Sequence, residues 1–450
     1  MSGDRKTHRF DAHRTADDQG ARSDGRRLLG ASVTATLLWL SGCGGAPAEL
    51  AEPVTVADHG ASNPTVAVDR ERGTYYIAWV GTNDGVSDVY VARSDDGVGF
   101  DGPVRVNHIA GDASPHEQAP AQIATGAHGE VYVVWQNNTH VEGRRFPYSD
   151  LRFARSTDGG RTFAPAITVN DDADGPPSSH TFHDIAVSDD GVVHVSWIDS
   201  RVRTAAERAA GSAEVRPVHA PDRAAHGASD LPGPEIRVAH SKNGRSFGAS
   251  EVVAQDACPC CRTSLAAGPD GDLALAWRDV DERSIRDIVV ARGSVDQGFD
   301  APVGVREDFW SIEGCPHAGP GLALDGEGRT HVAWYTGSPD GEGLYYAVAE
   351  TGETSFGAPQ ALLSGGWVPV SQVKVAAAGQ GVVLAWDDRR RDVPTVQVAV
   401  AGEGGEPRII AEGMPGASPA VAAAGPYAAV AWLDGETVRF APVRFATVQP

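Results

Sequence analysis

Three of the five cysteines in this 450-residue chain lie within residues 256–262, "DACPCCR". They are Cys258, Cys260 and Cys261, and a fourth, Cys315, occurs in "GCPHAG" with His317 two positions later. Thiolate and imidazole together can bind Zn(II) or Cu(I). Thiols can also pair as disulfides in an oxidising compartment, or an activated thiol can act in redox or nucleophilic chemistry. The spacing alone leaves these three possibilities open.

A repeat predicts the elements that position these residues. Seven segments of alternating apolar residues end in tryptophan, at Trp79, Trp135, Trp197, Trp277, Trp334, Trp386 and Trp432. Each follows an apolar strand and a polar Asp/Gly turn, a pattern typical of antiparallel hairpins, and two further strand-like segments follow most of them. Four antiparallel strands repeated seven times predict an all-β fold, a seven-bladed β-propeller.

The two ends of the repeat predict how the ring closes. After Trp432 only one clear strand remains, "VRFAPV", whereas "EPVTV" at residues 52–56 has the pattern of a fourth strand. We therefore expect the N-terminal strand to complete the last blade, which leaves no free sheet edge.

The first 52 residues are predicted to lie outside the propeller. An arginine pair, an apolar run at residues 28–40 and "LSGC" ending at Cys43 are typical of a lipoprotein signal. We predict a signal peptide at 1–42, lipidation at Cys43, a tether at 43–52 and the propeller at 53–450. This places the protein at the cell envelope, anchored to a membrane through its lipid. The apolar run is too short to span a bilayer comfortably.

The amino-acid composition limits which classes of partner the protein could bind. The formal net charge of -22 argues against nucleic acid as a partner, because the chain has no surplus of cations to neutralise phosphates. The 53 glycines and 29 prolines favour short strands joined by many turns. We expect a monomer whose partner, where it has one besides the membrane, is a glycan or a protein.

One turn carries a family resemblance. Residues 156–163, "STDGGRTF", match the Asp-box pattern at Ser156, Asp158, Gly160, Thr162 and Phe163. The Ser and Asp side chains cap the turn backbone, and glycine supplies positive φ. Residues from about 50 to 450 therefore resemble the sialidase-like Asp-box (BNR-repeat) propellers. The resemblance implies a site on the face where each innermost strand begins. It also leaves a six-bladed ring, usual in sialidases, as the fallback architecture.

Aligning the inner strands of the blades places soft ligands at similar offsets. The resulting candidate metal ligands are Cys258, Cys260, Cys261, Cys315, His317, His180, His116, His59 and Met414. Thiolate, thioether and imidazole favour copper, especially Cu(I), although Cys and His alone also suit Zn(II). The main hypothesis is a copper site for metal handling or redox work. The structural alternative is a partner-binding propeller with disulfides between its loops.

The resemblance supplies an enzyme alternative, a glycoside hydrolase of the sialidase type. Such enzymes bind the substrate carboxylate with arginines and use Tyr and Asp in catalysis, so the candidates are Arg201, Arg262, Arg278, Arg389, Asp199 and Tyr335. The arginine-bearing motif that usually precedes the first sialidase blade is absent from "ASNPTVAV", and Asp–Arg pairing at a loop rim also explains several candidates. An insertion at 202–233 is predicted to lie over the same face.

Overall fold

The structure is a computed structural model that describes residues 48–142, 146–210, 231–379, 381–402 and 405–445. These residues form thirty strands, the helix Arg201–Ala209 and a short 3-10 turn at Pro269–Gly271. Across these segments no helix combines the length and apolarity needed to cross a bilayer. The predicted signal peptide at 1–42 and the lipidation site Cys43 lie outside the described residues.

The strands form seven antiparallel sheets, each of which is one blade. The innermost strands of blades 1 to 7 are Thr65–Val68, Gln122–Thr125, His180–Val187, Ser264–Ala267, Gly321–Leu324, Val373–Ala378 and Ala417–Ala424. The second strands, which carry the repeated tryptophans, are Tyr75–Asn83, Val131–Thr139, Val193–Asp199, Leu273–Arg278, Thr330–Thr336, Gly381–Asp388 and Tyr427–Asp434. This register repeats because the same hairpin pattern recurs in the sequence.

The outer half of each blade is less regular. The third strands are Val86–Ser94, Tyr148–Ser156, Glu235–Ser241, Ile288–Ser294, Gly343–Ala349, Thr395–Ala401 and Thr437–Phe445. The fourth strands of blades 1 to 6 are Asp101–Arg105, Ile167–Thr168, Glu251–Ala254, the pair Gly298–Phe299 and Val303–Gly304, Gln360–Leu363 and Arg408–Pro415.

The ring closes through the N-terminal part of the chain. Val54–Ala57 pairs antiparallel with Thr437–Phe445 and completes blade 7, and the inner strand of blade 7 contacts that of blade 1. The seven-bladed prediction and its closing strand are thereby confirmed over the six-bladed fallback. Ala48–Leu50, which lies within the predicted tether, also pairs with Thr437–Phe445.

The core lies between neighbouring blades. All seven repeat tryptophans are at most 3% exposed, and the apolar clusters combine side chains from two adjacent sheets. Trp334 of blade 5, for example, packs in one cluster with Ala274 and Val290 of blade 4. Because each interior blade is covered on both faces, apolar residues occupy both faces of its central strands. This packing holds the connecting loops in fixed positions.

The turn at residues 156–163 stabilises itself. The Asp158 carboxylate accepts the backbone N–H groups of Arg161 and Thr162 at 3.0 and 2.9 Å, and Ser156 donates its hydroxyl to the same carboxylate at 2.7 Å. Although desolvation opposes the shift, these bonds lower the pKa of Asp158 to about 2. Gly160 has φ of +76°, and Phe163 is buried among apolar residues of blades 1 and 2. The turn joins the third and fourth strands of blade 2, so it lies away from the loops that precede the inner strands.

Candidate functional site

The three clustered cysteines lie in the loop that enters blade 4. This loop joins Glu251–Ala254 of blade 3 to Ser264–Ala267, on the face where the inner strands begin, here called the site face. The Cys258 backbone N–H donates to the Arg278 carbonyl at 3.1 Å, which fixes the loop against the second strand of its own blade. Cys258, Cys260 and Cys261 are 1%, 4% and 1% exposed, so their sulfurs are buried.

The sulfurs converge. Cys258 Sγ lies 3.8 Å from Cys260 Sγ and 3.5 Å from Cys261 Sγ, and the three sulfurs lie within 4.8 Å of one another. Cys260 Sγ also lies within 4.8 Å of Cys315 Sγ and a ring nitrogen of His317. We call these five residues the thiol cluster. None of these four cysteines forms a disulfide, and the sulfur–sulfur distances from Cys258 exceed the length of about 2.05 Å of a disulfide bond. Within the described residues, therefore, no disulfide joins the loops.

Two connecting loops pack tightly to form the thiol cluster. A Cβ atom at Gly319 would lie 2.3 Å from the Arg262 carbonyl oxygen, so only glycine permits this approach between the loops. His317 has φ of +53°, a conformation that non-glycine residues seldom adopt. The Gln372 side-chain amide donates to the His317 carbonyl at 2.9 Å and helps to retain this backbone. Strain of this kind often accompanies a functional constraint on a side chain.

A buried arginine faces the thiol cluster. Arg286 is fully buried, and its guanidinium donates to Cys258 Sγ at 3.1 Å and to the Ile312 carbonyl at 3.2 Å. Desolvation opposes ionisation, but hydrogen bonding with the other two thiols and the charge of Arg286 lower the pKa of Cys258 well below its usual value. Burial raises the pKa of Cys260, and it raises the pKa of Cys261 to about 12. The arrangement thus favours thiolate character at Cys258.

Arg286 was not among the residues that the sequence singled out. It lies 28 positions after Cys258 in the chain, just before the third strand of blade 4. No motif links the two residues, and only the folding of one blade brings them together. An arginine immediately before a buried apolar strand is the one signal that could have suggested it.

Three other predicted ligands lie outside the thiol cluster. His116 is half-buried and packs edge-on against Phe182, and burial together with the charge of His317 lowers its pKa. His59 is exposed, with its ring nitrogen 3.9 Å from Asp58. Met414 belongs to the fourth strand of blade 6 and packs against the apolar cluster that contains Trp432. The alignment of inner strands assumed that Met414 lies in a loop, whereas the strand Arg408–Pro415 includes this residue.

His180 belongs to a different polar group, with Asp172 and Asp199. Its Nε2 lies 2.9 Å from Asp172 and 3.5 Å from Asp199, and its Nδ1 lies 2.8 Å from the Ser149 carbonyl oxygen. Burial lowers the pKa of His180, but the Asp172 hydrogen bond and the two carboxylate charges raise it overall. Arg201 bonds both Asp199 and Asp171, at 2.8 and 2.6 Å. The group secures the start of the helix Arg201–Ala209, the first part of the predicted insertion; residues 211–230 lie outside the described ranges.

Arg278 and Tyr335 are occupied by structural contacts. The buried Arg278 guanidinium donates to the carbonyls of Ala318, Arg286 and Tyr335 at 2.6–3.1 Å, and it lies 4.9 Å from the Trp310 ring centroid. The Tyr335 hydroxyl donates to a carbonyl in the loop that enters blade 6, at 2.8 Å. Both side chains hold site-face loops in place.

The remaining predicted arginines also have acceptors within the protein. Arg262 is 3% exposed and donates to the Gln372 side chain at 2.6 Å and to the Val373 carbonyl at 3.0 Å. Arg389 is partly exposed and bonds Asp387 and Glu117, at 2.9 and 2.7 Å. A substrate carboxylate would have to displace these contacts in order to bind either guanidinium.

Lys374 leads to a pH-dependent prediction. It lies on the inner strand of blade 6, where protein atoms surround it and its side chain keeps only partial exposure to solvent. Burial and repulsion from Arg262 lower its pKa to about 7, against 10.5 for an unperturbed lysine, while Asp184 opposes the shift. Between these values the unfolded chain binds more protons than the folded one, so stability rises with pH.

We expect Lys374→Met to raise the free energy of unfolding at pH 7 by about 1–3 kcal/mol, because the cost of burying the ammonium disappears. The gain should shrink as the pH approaches 10. Urea denaturation at both pH values measures it, with the exposed Lys242→Met as control. An equal effect at the two pH values would contradict the assignment.

Comparisons with known proteins return structural likeness alone. No protein-family model and no curated protein matches the sequence. Among solved structures, a polysaccharide lyase, the PL25 ulvan lyase bound to -[GlcA(1-4)Rha3S]-, has a TM-score of 0.51 at 12% identity over 86% of this chain and 95% of its own. The Hadza microbial sialidase Hz136 has a TM-score of 0.47 and 12% sequence identity, and the match covers 83% of this chain and 73% of the sialidase. The leech intramolecular trans-sialidase has a TM-score of 0.45 and 8% sequence identity, and the match covers 88% of this chain and 94% of the trans-sialidase. At these identities the likeness concerns the fold alone.

Proposed function

We propose that this protein binds a soft transition-metal ion, copper in particular, at the thiol cluster and serves metal handling or redox work. One observation carries the proposal: two loops bring four cysteine side chains and one imidazole into two overlapping groups, and within each group the possible ligand atoms lie within 4.8 Å of one another. Thiolates and imidazole are the side chains that select Cu(I) and Zn(II) over hard cations.

The spacing of the sulfurs suits a metal ion. With metal–sulfur bonds of about 2.3 Å, three sulfurs in a plane around one ion are separated by about 4.0 Å. The 3.8 and 3.5 Å separations from Cys258 are close to this value, so binding requires only small side-chain movements. Burial of these sulfurs would protect Cu(I) from water and oxidants.

The proposed setting is the cell envelope. The sequence 1–42 and the cysteine at position 43 support export and lipid anchoring of a monomeric propeller to a membrane. A surface-exposed carrier or redox protein would meet copper there before it enters the cell.

Metal analysis of the reduced mature chain tests the proposal. After anaerobic incubation with Cu(I) and removal of unbound metal, we expect at least one copper ion per chain. The double variant Cys258→Ser/Cys261→Ser should bind less copper than wild type, whereas the control His128→Ala, at an exposed histidine, should bind as much. Wild type that binds no more copper than the double variant would overturn the proposal.

A second candidate is a propeller glycoside hydrolase or lyase, including the sialidase type. Two aromatic side chains favour it, because Trp367 and Phe309 are 72% and 56% exposed in site-face loops, where aromatic rings could stack on sugars. The ulvan lyase with the same fold is a polysaccharide lyase. The contacts made by Arg262, Arg278 and Arg389 weigh against a sialidase mechanism.

Turnover assays separate the two candidates. A fluorogenic sialoside and a sulfated uronate polysaccharide are incubated with metal-free and copper-loaded protein. If the protein acts on glycans, turnover should decrease in the Trp367→Ala variant and stay unchanged in the Cys261→Ser variant. Absence of turnover with both substrates would remove this candidate.

A further inference from the structure

The two ligand groups of the thiol cluster share one residue. Cys260 belongs both to the buried group with Cys258 and Cys261 and to the group with Cys315 and His317. A thiolate can bridge two metal ions because its sulfur has more than one lone pair. We propose that the thiol cluster holds two Cu(I) ions bridged by the Cys260 thiolate, an inference that rests on the proposed function.

The charge around the cluster favours Cu(I) over a pair of Zn(II) ions. Arg278 and Arg286 are both buried, and within the described residues neither forms a salt bridge; their donors reach carbonyl oxygens and the Cys258 sulfur. A buried charge is costly unless opposite charge lies near it. Four thiolates with two Cu(I) ions carry a net charge of about -2, which attracts the buried guanidinium groups of Arg262, Arg278 and Arg286, whereas two Zn(II) ions would leave the cluster neutral.

The two metal positions differ in access. The Cys258–Cys261 side is at most 4% exposed, whereas Cys315 and His317 are each partly exposed at the site face. Copper arriving from outside would therefore meet Cys315 and His317 first. Because Cys260 belongs to both groups, an ion can move from the outer position to the inner one by exchanging its other ligands while it stays bound to Cys260. The outer ion is then the exchangeable one, and the inner ion is retained.

Copper titration of the full mature chain tests this proposal. The reduced protein is titrated anaerobically with Cu(I) supplied as its acetonitrile complex, and copper is measured against protein after a competing chelator is added. We expect two copper ions per wild-type chain, one of which the chelator removes first. His317→Ala and Cys315→Ser should each bind one ion, Cys260→Ser should bind less than either, and His128→Ala should bind two.

X-ray absorption on wild type gives a second readout that does not depend on whether the variants fold. Two thiolate-bridged Cu(I) ions produce a short copper–copper scattering contribution, and a single ion produces none. One ion per wild-type chain, without that contribution, would overturn the two-ion proposal and leave copper binding intact. Two ions retained by Cys260→Ser would overturn the bridge. Zinc bound tightly and copper not at all would overturn the choice of Cu(I), and no bound metal would overturn the proposed function as well.

Discussion

Replacing Arg278 with methionine is expected to lower the free energy of unfolding by about 3–5 kcal/mol, because three carbonyl oxygens lose a charged donor within the protein interior. The Ala318 and Tyr335 carbonyls belong to blade 5 and the loop that enters it, and the Arg286 carbonyl belongs to blade 4, so one guanidinium joins parts of two blades. Methionine preserves most of the volume beside Trp310, which makes the loss one of hydrogen bonds and not of packing. Urea denaturation followed by tryptophan fluorescence measures it.

Arg390→Met is the matched control. Arg390 is exposed, and among the described residues its guanidinium bonds the Asp388 carboxylate alone, a surface pair worth at most about 1 kcal/mol. If Arg278→Met is no more destabilising than Arg390→Met, the assignment of a structural role to Arg278 is contradicted. A folded Arg278→Met variant with wild-type stability that loses sialoside turnover would support the catalytic interpretation instead.

The sequence predicted the fold because the propeller repeats a local pattern. Each hairpin is encoded by alternating apolar residues and an Asp/Gly turn, and both signals act within about ten residues. The closing strand Val54–Ala57 was predictable for a related reason, since blade 7 lacked one strand and the N-terminal segment supplied it. Repetition turned weak local signals into a strong prediction of architecture.

The site was only partly predictable, because it depends on distances between loops of different blades. Cys315 and His317, two of the residues at the repeated offset, lie beside the cysteine loop in the structure. Met414 lies on a strand and the His180 ring faces Asp172 and Asp199, so neither side chain joins the thiol cluster. The burial of Arg278 and its bonds to backbone carbonyls have no local sequence signal at all.

Loading the thiol cluster with Cu(I) should raise the melting temperature of the mature chain. A ligand that binds only the folded state stabilises it by about 4 kcal/mol when its free concentration is a thousand times Kd. For a domain of this size, that free energy corresponds to a rise of about 5 °C. The effect arises because two separate loops, carrying Cys260 and Cys315, are joined through the metal in the folded state alone. Calorimetry of the reduced protein with and without Cu(I), under a competing buffer that fixes free copper, measures the shift.

Cysteine variants decide whether the shift comes from the thiol cluster. Cys260→Ser should melt at the same temperature with and without Cu(I), because the residue shared by both ligand groups is lost. His128→Ala should shift like wild type, and removal of copper by a strong chelator should restore the metal-free melting temperature. Unfolded thiols also bind Cu(I), which reduces the stabilisation, so the metal-dependent difference between wild type and Cys260→Ser is the decisive quantity. A shift of equal size in both proteins would place the bound copper elsewhere and contradict the assignment of the site.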